Sequence, residues 1–224
     1  MTPTTPIGPI DPISPIATTL TKVCGMRDAE NIRAVERLGI NLMGFIFWPH
    51  SSRYVSEPPA YLPTACRRVG VFVDATIDDV RQHMADYSLD YLQLHGQESP
   101  EYIRALRTVC GDSIATIIKA FNIATAADLA QTKPYEGLAD LFLFDTRGKS
   151  VGGNGSKFDW TVLTDYNGTT PFILSGGIGP DDAEQLRAFQ HPKCTGIDLN
   201  SRFELAPGLK DITALRKFFT ELNR

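Results

Sequence analysis

The sequence predicts an α/β protein, a single-domain (β/α)8 TIM barrel over residues 20–224 behind a proline-rich N-terminal arm over residues 1–19. Three observations carry this. Eight short apolar runs recur about every 25 residues, the size of one strand–helix unit. Helix-like segments, with apolar residues three and four apart, lie between most of them. Runs such as "LFLF" are apolar on both faces, as parallel strands covered by helices require. The structural rival is an open doubly wound sheet. Its dinucleotide-binding form carries G-x-G-x-x-G after the first strand, and "VCGMRDAEN" does not.

The elements follow in order. "MTPTTPIGPIDPISPIATT" lacks a basic start and a continuous apolar core, so it reads as an extended or disordered arm and not a secretory signal. "LTKVC" is the first strand, and "AENIRAVERLG" the first helix, closed by Gly39. "LMGFIF" is the second strand and leads into the aromatic and polar loop "FIFWPHSSRYV". "RVGVFV" and "YLQLH" are the third and fourth strands, separated by "TIDDVRQHMADY" with its threonine start. "SPEYIRALRTV" opens on serine and proline, a favoured helix start. "IATIIKAF" is the fifth strand, "ATAADLAQ" a helix, and "LFLFD" the sixth strand. The loop Asp145–Trp160 carries Gly148, Gly152, Gly153 and Gly155, which reads as a lid, a binding loop or a disordered segment, and its Arg147, Lys149 and Lys157 give it positive charge suited to an anionic ligand. "PFILSG" and "TGIDL" are the last two strands, "PDDAEQLRAF" the helix between them, and "LKDITALRKFFTEL" the closing helix.

Twenty-two Lys and Arg against 26 Asp and Glu give a net charge of -4, which leaves no electrostatic footprint for nucleic acid. No apolar stretch is long enough to span a membrane. Cys24, Cys66, Cys110 and Cys194 are scattered, without C-x-x-C or histidine ligand spacing, so neither a metal site nor structural disulfides are expected. A cytoplasmic location is expected, with a small phosphorylated molecule as partner and a monomer or homodimer as the assembly.

In such a barrel the chemistry sits at the C-terminal ends of the strands. That rule selects Lys22 and Cys24, Asp74, Gln93 and His95, Asp145, Gly176 and Gly177, and Asp198 with Asn200. Side chains alternate along a strand, so Lys22 and Cys24 share a face. "SGGIGPDD" after the seventh strand lets backbone N–H groups approach an anion, and "GIDLNSRFE" supplies the other half around Asn200 and Ser201. Arg53 is either a two-pronged carboxylate holder or an ordinary solvated arginine. From the residues alone, Cys24 is as readily core filler as a reactive thiol. Asp74, Asp145 and Asp198 cannot be ranked.

The stretches "KVCG", "GFIFWPHSSRYV", "LQLHG", "GGNGSKFDW", "SGGIGPDDA" and "GIDLNSRFE…PGLKD", in that order, resemble phosphoribosylanthranilate isomerase over nearly the whole chain after Leu20. The resemblance implies a (β/α)8 barrel and an Amadori rearrangement in tryptophan biosynthesis. N-(5-phosphoribosyl)anthranilate would become 1-(2-carboxyphenylamino)-1-deoxyribulose 5-phosphate. It implies Cys24 as general base, Asp145 as general acid, Arg53 at the anthranilate end and Asp198 lining the site, with no metal or organic cofactor. Three departures stand out. Ser51-Ser52-Arg53 lacks the family's proline, Asn154 replaces a threonine in the glycine loop, and Arg202 replaces a common glycine after the eighth strand.

The chemistry needs a neutral carboxyl and a thiolate. Burial of Asp145 would favour the first, and Lys22 beside Cys24 the second. The related histidine-pathway isomerase uses an aspartate where this chain has Cys24. A silent phosphate-binding barrel would not need both Cys24 and Asp145, and a thiol redox protein would need a nearby second cysteine.

Overall fold

The computed structural model describes residues 20–111, 116–146 and 160–224. The arm over residues 1–19 and the glycine-bearing loop over 147–159 lie outside the described residues. Eight parallel strands close into one ring in sequence order. They are β1 (Leu20–Cys24), β2 (Leu42–Ile46), β3 (Arg67–Phe72), β4 (Tyr91–Leu94), β5 (Thr116–Asn122), β6 (Leu141–Asp145), β7 (Phe172–Ser175) and β8 (Cys194–Leu199). The last strand pairs with the first, Lys22 opposite Asp198. The ring of eight has no edge strand, which removes the unpaired backbone an edge would expose.

Outside the ring lie α1 (Ala29–Glu36), α2 (Ile77–Tyr87), α3 (Pro100–Cys110), α4 (Ala183–Ala188) and α5 (Ile212–Leu222). Their starts follow from capping chemistry. The side chains of Asp28, Thr76, Ser99 and Asp211 accept N–H groups three residues on, filling donors that a helix start leaves unpaired. The main core lies between sheet and helices and contains Phe72, Phe142, Phe144, Phe172 and Phe218. A second, smaller core fills the barrel: Leu42, Val69, Val71, Tyr91, Ile118, Leu141, Leu143 and Ile173, with Cys24 at its top. Inner and outer cores alternate along each strand, as the two-residue period dictates.

The structure departs from the sequence reading in three places. "ATAADLAQ" lies in a 3-10 segment, Ala126–Tyr135, and not an α-helix. Pro134 inside it removes a donor and favours the tighter, shorter turn. The helix after β7 is cut to six residues. A short antiparallel hairpin, β9 (Glu204–Ala206) and β10 (Leu209–Lys210), is inserted after β8, so the closing helix starts at Ile212 and not at Leu209.

Candidate active site

The C-terminal ends of the strands open into one cavity of about 770 Å³. Its lining brings together Cys24, Arg53, Asp145, Gly176, Gly177, Asp198, Asn200 and Ser201, every residue the sequence assigned to catalysis or binding. Gln93 and His95 also line it. Asp74 does not. Its N–H goes to Glu98 and its carboxylate accepts the N–H of Gln97, so it braces a turn.

Cys24 ends β1 and is buried. It faces Gly44 on β2, where a Cβ would stand only 2.7 Å from Sγ. A glycine at that point is what gives the thiol room, and sequence reasoning passed over it. Below the thiol, the fully buried Lys22 donates to Asp198 Oδ1 at 2.9 Å, and Ser175 Oγ meets the other carboxylate oxygen at 3.2 Å. Burial works against the Lys22 charge, but Asp198 and Cys24 outweigh it and hold the amine above its ordinary range. Lys22 does favour the Cys24 thiolate, as the sequence reading expects, but it is outweighed. Burial pushes the thiol up, Lys22 pulls it down and Asp198 pushes it up again; the net shift is upward. A further cation, Lys210, also pulls the thiol down.

Asp145 ends β6, between Asn122 of β5 and Ser175 of β7 in register, and is buried. The Nε2 of His95 lies 3.6 Å from its Oδ2. Gln93 Nε2 is 2.9 Å from the other ring nitrogen, Nδ1. Gln93 Oε1 is buried beside the cavity with no partner among the described residues. Geometry therefore separates the three aspartates: Asp74 is structural, Asp198 is tied to Lys22, and Asp145 stands at the rim with a histidine against it.

Arg53 is neither solvated nor empty-handed. It grips Glu204 of β9 by three bonds, Nε at 2.9 and 3.0 Å and Nη2 at 2.6 Å. Glu204 also takes Lys210 Nζ at 2.6 Å, and that ammonium reaches Asn200 Oδ1 at 2.8 Å. Burial pushes Glu204 up, but Arg53 and Lys210 overcome it and hold the carboxyl below the usual range. Burial lowers the Lys210 amine, with Glu204 pulling back. Neither Glu204 nor Lys210 was singled out from sequence, although the quoted "RFE…PGLKD" contains both. Their partners are distant in the chain, which spacing cannot show.

The residues that the sequence reading assigns to an anion come from two loops of the cavity wall. Gly176 and Gly177 follow β7 with φ of +93° and +68°, and a Cβ on Gly176 would overlap the backbone of Thr146. Thr146 in turn donates its hydroxyl to Ser175 O at 2.7 Å, stitching the ends of β6 and β7. Asn200 and Ser201 come from the turn after β8. All four cysteines are free thiols. Burial pushes Cys66 up to about 12 and Cys194 to about 11, which disfavours the thiolate at both. Among the described residues no group of three His, Cys, Asp or Glu side chains could hold a metal ion.

Comparison with known proteins gives the family. Residues 21–221 match the family model for N-(5'-phosphoribosyl)anthranilate isomerase. The N-(5'-phosphoribosyl)anthranilate isomerase of Parabacteroides distasonis is 49% identical over 209 residues, covering 91% of this chain and 93% of the relative. The crystal structure of phosphoribosyl anthranilate isomerase from Thermotoga maritima superposes with a TM-score of 0.77 at 27% identity, covering 91% of this chain and 98% of that one. A phosphoribosyl anthranilate isomerase in complex with reduced 1-(o-carboxyphenylamino)-1-deoxyribulose 5-phosphate superposes with a TM-score of 0.75 at 26% identity, over the same shares of each chain.

Proposed function

The chain belongs to the N-(5'-phosphoribosyl)anthranilate isomerase family, and from that premise we propose how its own residues carry the reaction. It is an aldose–ketose isomerase of tryptophan biosynthesis that converts N-(5-phosphoribosyl)anthranilate to 1-(2-carboxyphenylamino)-1-deoxyribulose 5-phosphate. Asp145 is the general acid. It protonates the furanose ring oxygen, the ring C–O bond breaks, and the anthranilate nitrogen lone pair forms an iminium. Cys24 is the general base. It removes the C2′ proton, the C–H electron pair neutralises the iminium as an enol-amine, and protonation at C1′ with loss of the 2′-hydroxyl proton gives the ketone. No atoms are gained or lost, and no cofactor enters the balance.

One observation carries this reading: the Cys24 thiol and the Asp145 carboxyl line the same cavity from β1 and β6, three strands apart around the ring. A pentose between them meets both groups at once. Arg53, aimed by Glu204, holds the anthranilate carboxylate through the guanidinium nitrogen that Glu204 leaves unbonded, Nη1. Gly176, Gly177, Asn200 and Ser201 hold the phosphate through backbone N–H groups. Asp198 lines the floor and fixes Lys22. No helix of the described residues is long and apolar enough to cross a membrane. The enzyme works in the cytoplasm as a monomer or homodimer.

The test is turnover of substrate made in situ from anthranilate and phosphoribosyl pyrophosphate by a phosphoribosyltransferase, followed by fluorescence. Cys24→Ser and Asp145→Asn should each lower kcat by about 100-fold or more. Full activity in either variant reassigns that role.

A further inference from the structure

The cavity lining carries an uneven set of charges. Asp198 is matched by Lys22 at 2.9 Å and Arg53 by Glu204 at 2.6 Å. Two of the acids and bases that line it are thus already neutralised by the protein. Arg202 also lines the cavity, on the turn after β8. Among the described residues its side chain has no acid partner and no hydrogen bond, and it is exposed at the rim.

Its position is not arbitrary. A Cβ built on Gly179 would lie 3.4 Å from both Nε and Nη2 of Arg202. The guanidinium therefore reaches across from the β8 turn to the loop after β7, spanning the two loops that carry the residues assigned to an anion. The nearest acid on that loop, Asp182, is buried and accepts the N–H of Gly179 at 2.7 Å. Backbone N–H groups alone offer partial charges. A guanidinium adds a full charge and a planar fork that matches phosphate oxygens.

We propose that Arg202 is a side-chain element of the phosphate site, donating charge-assisted hydrogen bonds to the substrate's phosphate and strengthening the preference for the dianion. This rests on the isomerase reading and adds a residue to it. The ligand is a phosphate monoester, and the contribution is to binding rather than to the chemical step. Glycine at this point would leave the phosphate to backbone donors alone.

The experiment compares Arg202→Gln and Arg202→Lys with wild type in two measurements. The first is the steady-state assay, with inorganic phosphate as competitive inhibitor. The second is calorimetric titration of the substrate-free enzyme with inorganic phosphate. Arg202→Gln should raise KM and the phosphate inhibition constant by about tenfold each, the loss of one charge-assisted bond. Its kcat should stay within about twofold, and Arg202→Lys should fall between the two. The exposed side chain makes loss of folding an unsuitable explanation, and an unchanged thermal midpoint checks that. Unchanged KM and unchanged phosphate affinity in Arg202→Gln would overturn the proposal, as would a fall in kcat at constant KM. If wild type fails to turn over the substrate, the isomerase reading fails instead, and the calorimetric comparison still decides whether Arg202 binds phosphate.

Discussion

At the scale of the residue, the role proposed for Cys24 as base depends on what surrounds its thiol. Cys24 is pushed up by burial and held from rising further by Lys22 and Lys210. A base must be ionised to act, so a raised pKa means activity is lost as pH falls. Replacing Lys22 by Met removes a cation that favours the thiolate, so the thiol should rise further. Iodoacetamide alkylation of Cys24 followed against pH should then shift to higher pH, and the acid limb of kcat/KM should move with it. An unchanged thiol titration would refute the role given to Lys22. Gly44 sets a second limit. Gly44→Ala places a methyl 2.7 Å from Sγ, closer than real contacts allow, so the thiol must turn away. We expect kcat to fall at least tenfold with a smaller change in KM. Cys24 and Asp145 were legible as strand-end residues, and the resemblance gave them roles. Gly44 was not, because its meaning lies in a neighbour 20 positions away across the sheet.

At the scale of the element, strands were easier to read than the pieces attached to them. All eight were visible because each is buried on both faces, and that leaves an unbroken apolar run. Helix starts were visible through Thr76 and Ser99, whose side chains cap the first turn. The hairpin β9–β10 was not visible. Two strands of three and two residues carry no period, and Leu209 and Lys210 extend the apolar spacing of the helix that follows. Yet this hairpin supplies Glu204 and Lys210, which aim Arg53 and place a cation within reach of Cys24. Glu204→Gln keeps the shape and removes the charge that holds both cations. Arg53 loses its bidentate partner, and the anthranilate end should bind more loosely. KM should rise about tenfold, with kcat less affected, consistent with the loss of a charged hydrogen-bond partner. A fall in kcat with KM unchanged would mean that the hairpin acts through Cys24 and not through Arg53.

At the scale of the whole molecule, the two ends of the barrel do different work. The C-terminal end gathers the reactive groups. The opposite end is stapled by carboxylates that touch no ligand-lining residue of the catalytic cavity. Glu36, at the end of α1, accepts the Tyr61 hydroxyl and the N–H groups of Thr64 and Ala65, fixing the approach to β3. Glu136 accepts the hydroxyls of Tyr166, Thr169 and Thr170 and two backbone N–H groups, fixing the approach to β7. Burial pushes both carboxyls up, but these hydrogen bonds more than offset it and hold them below the ordinary carboxylate range. The sign of the consequence follows. Unfolded, each group titrates near its ordinary value, about 4.3; folded, it titrates lower. Between the two values the unfolded chain binds more protons, so stability falls as pH falls through that window and is fully present above it. Glu36→Gln and Glu136→Gln should therefore each lower the urea midpoint at pH 7 and flatten its decline below about pH 5. Both should leave kcat unchanged, since neither side chain lines the catalytic cavity. A urea midpoint in Glu136→Gln that matches wild type at pH 7 and declines as steeply in acid would show that the clamp before β7 contributes nothing to folding. A fall in kcat would show instead that the two ends of the barrel are coupled.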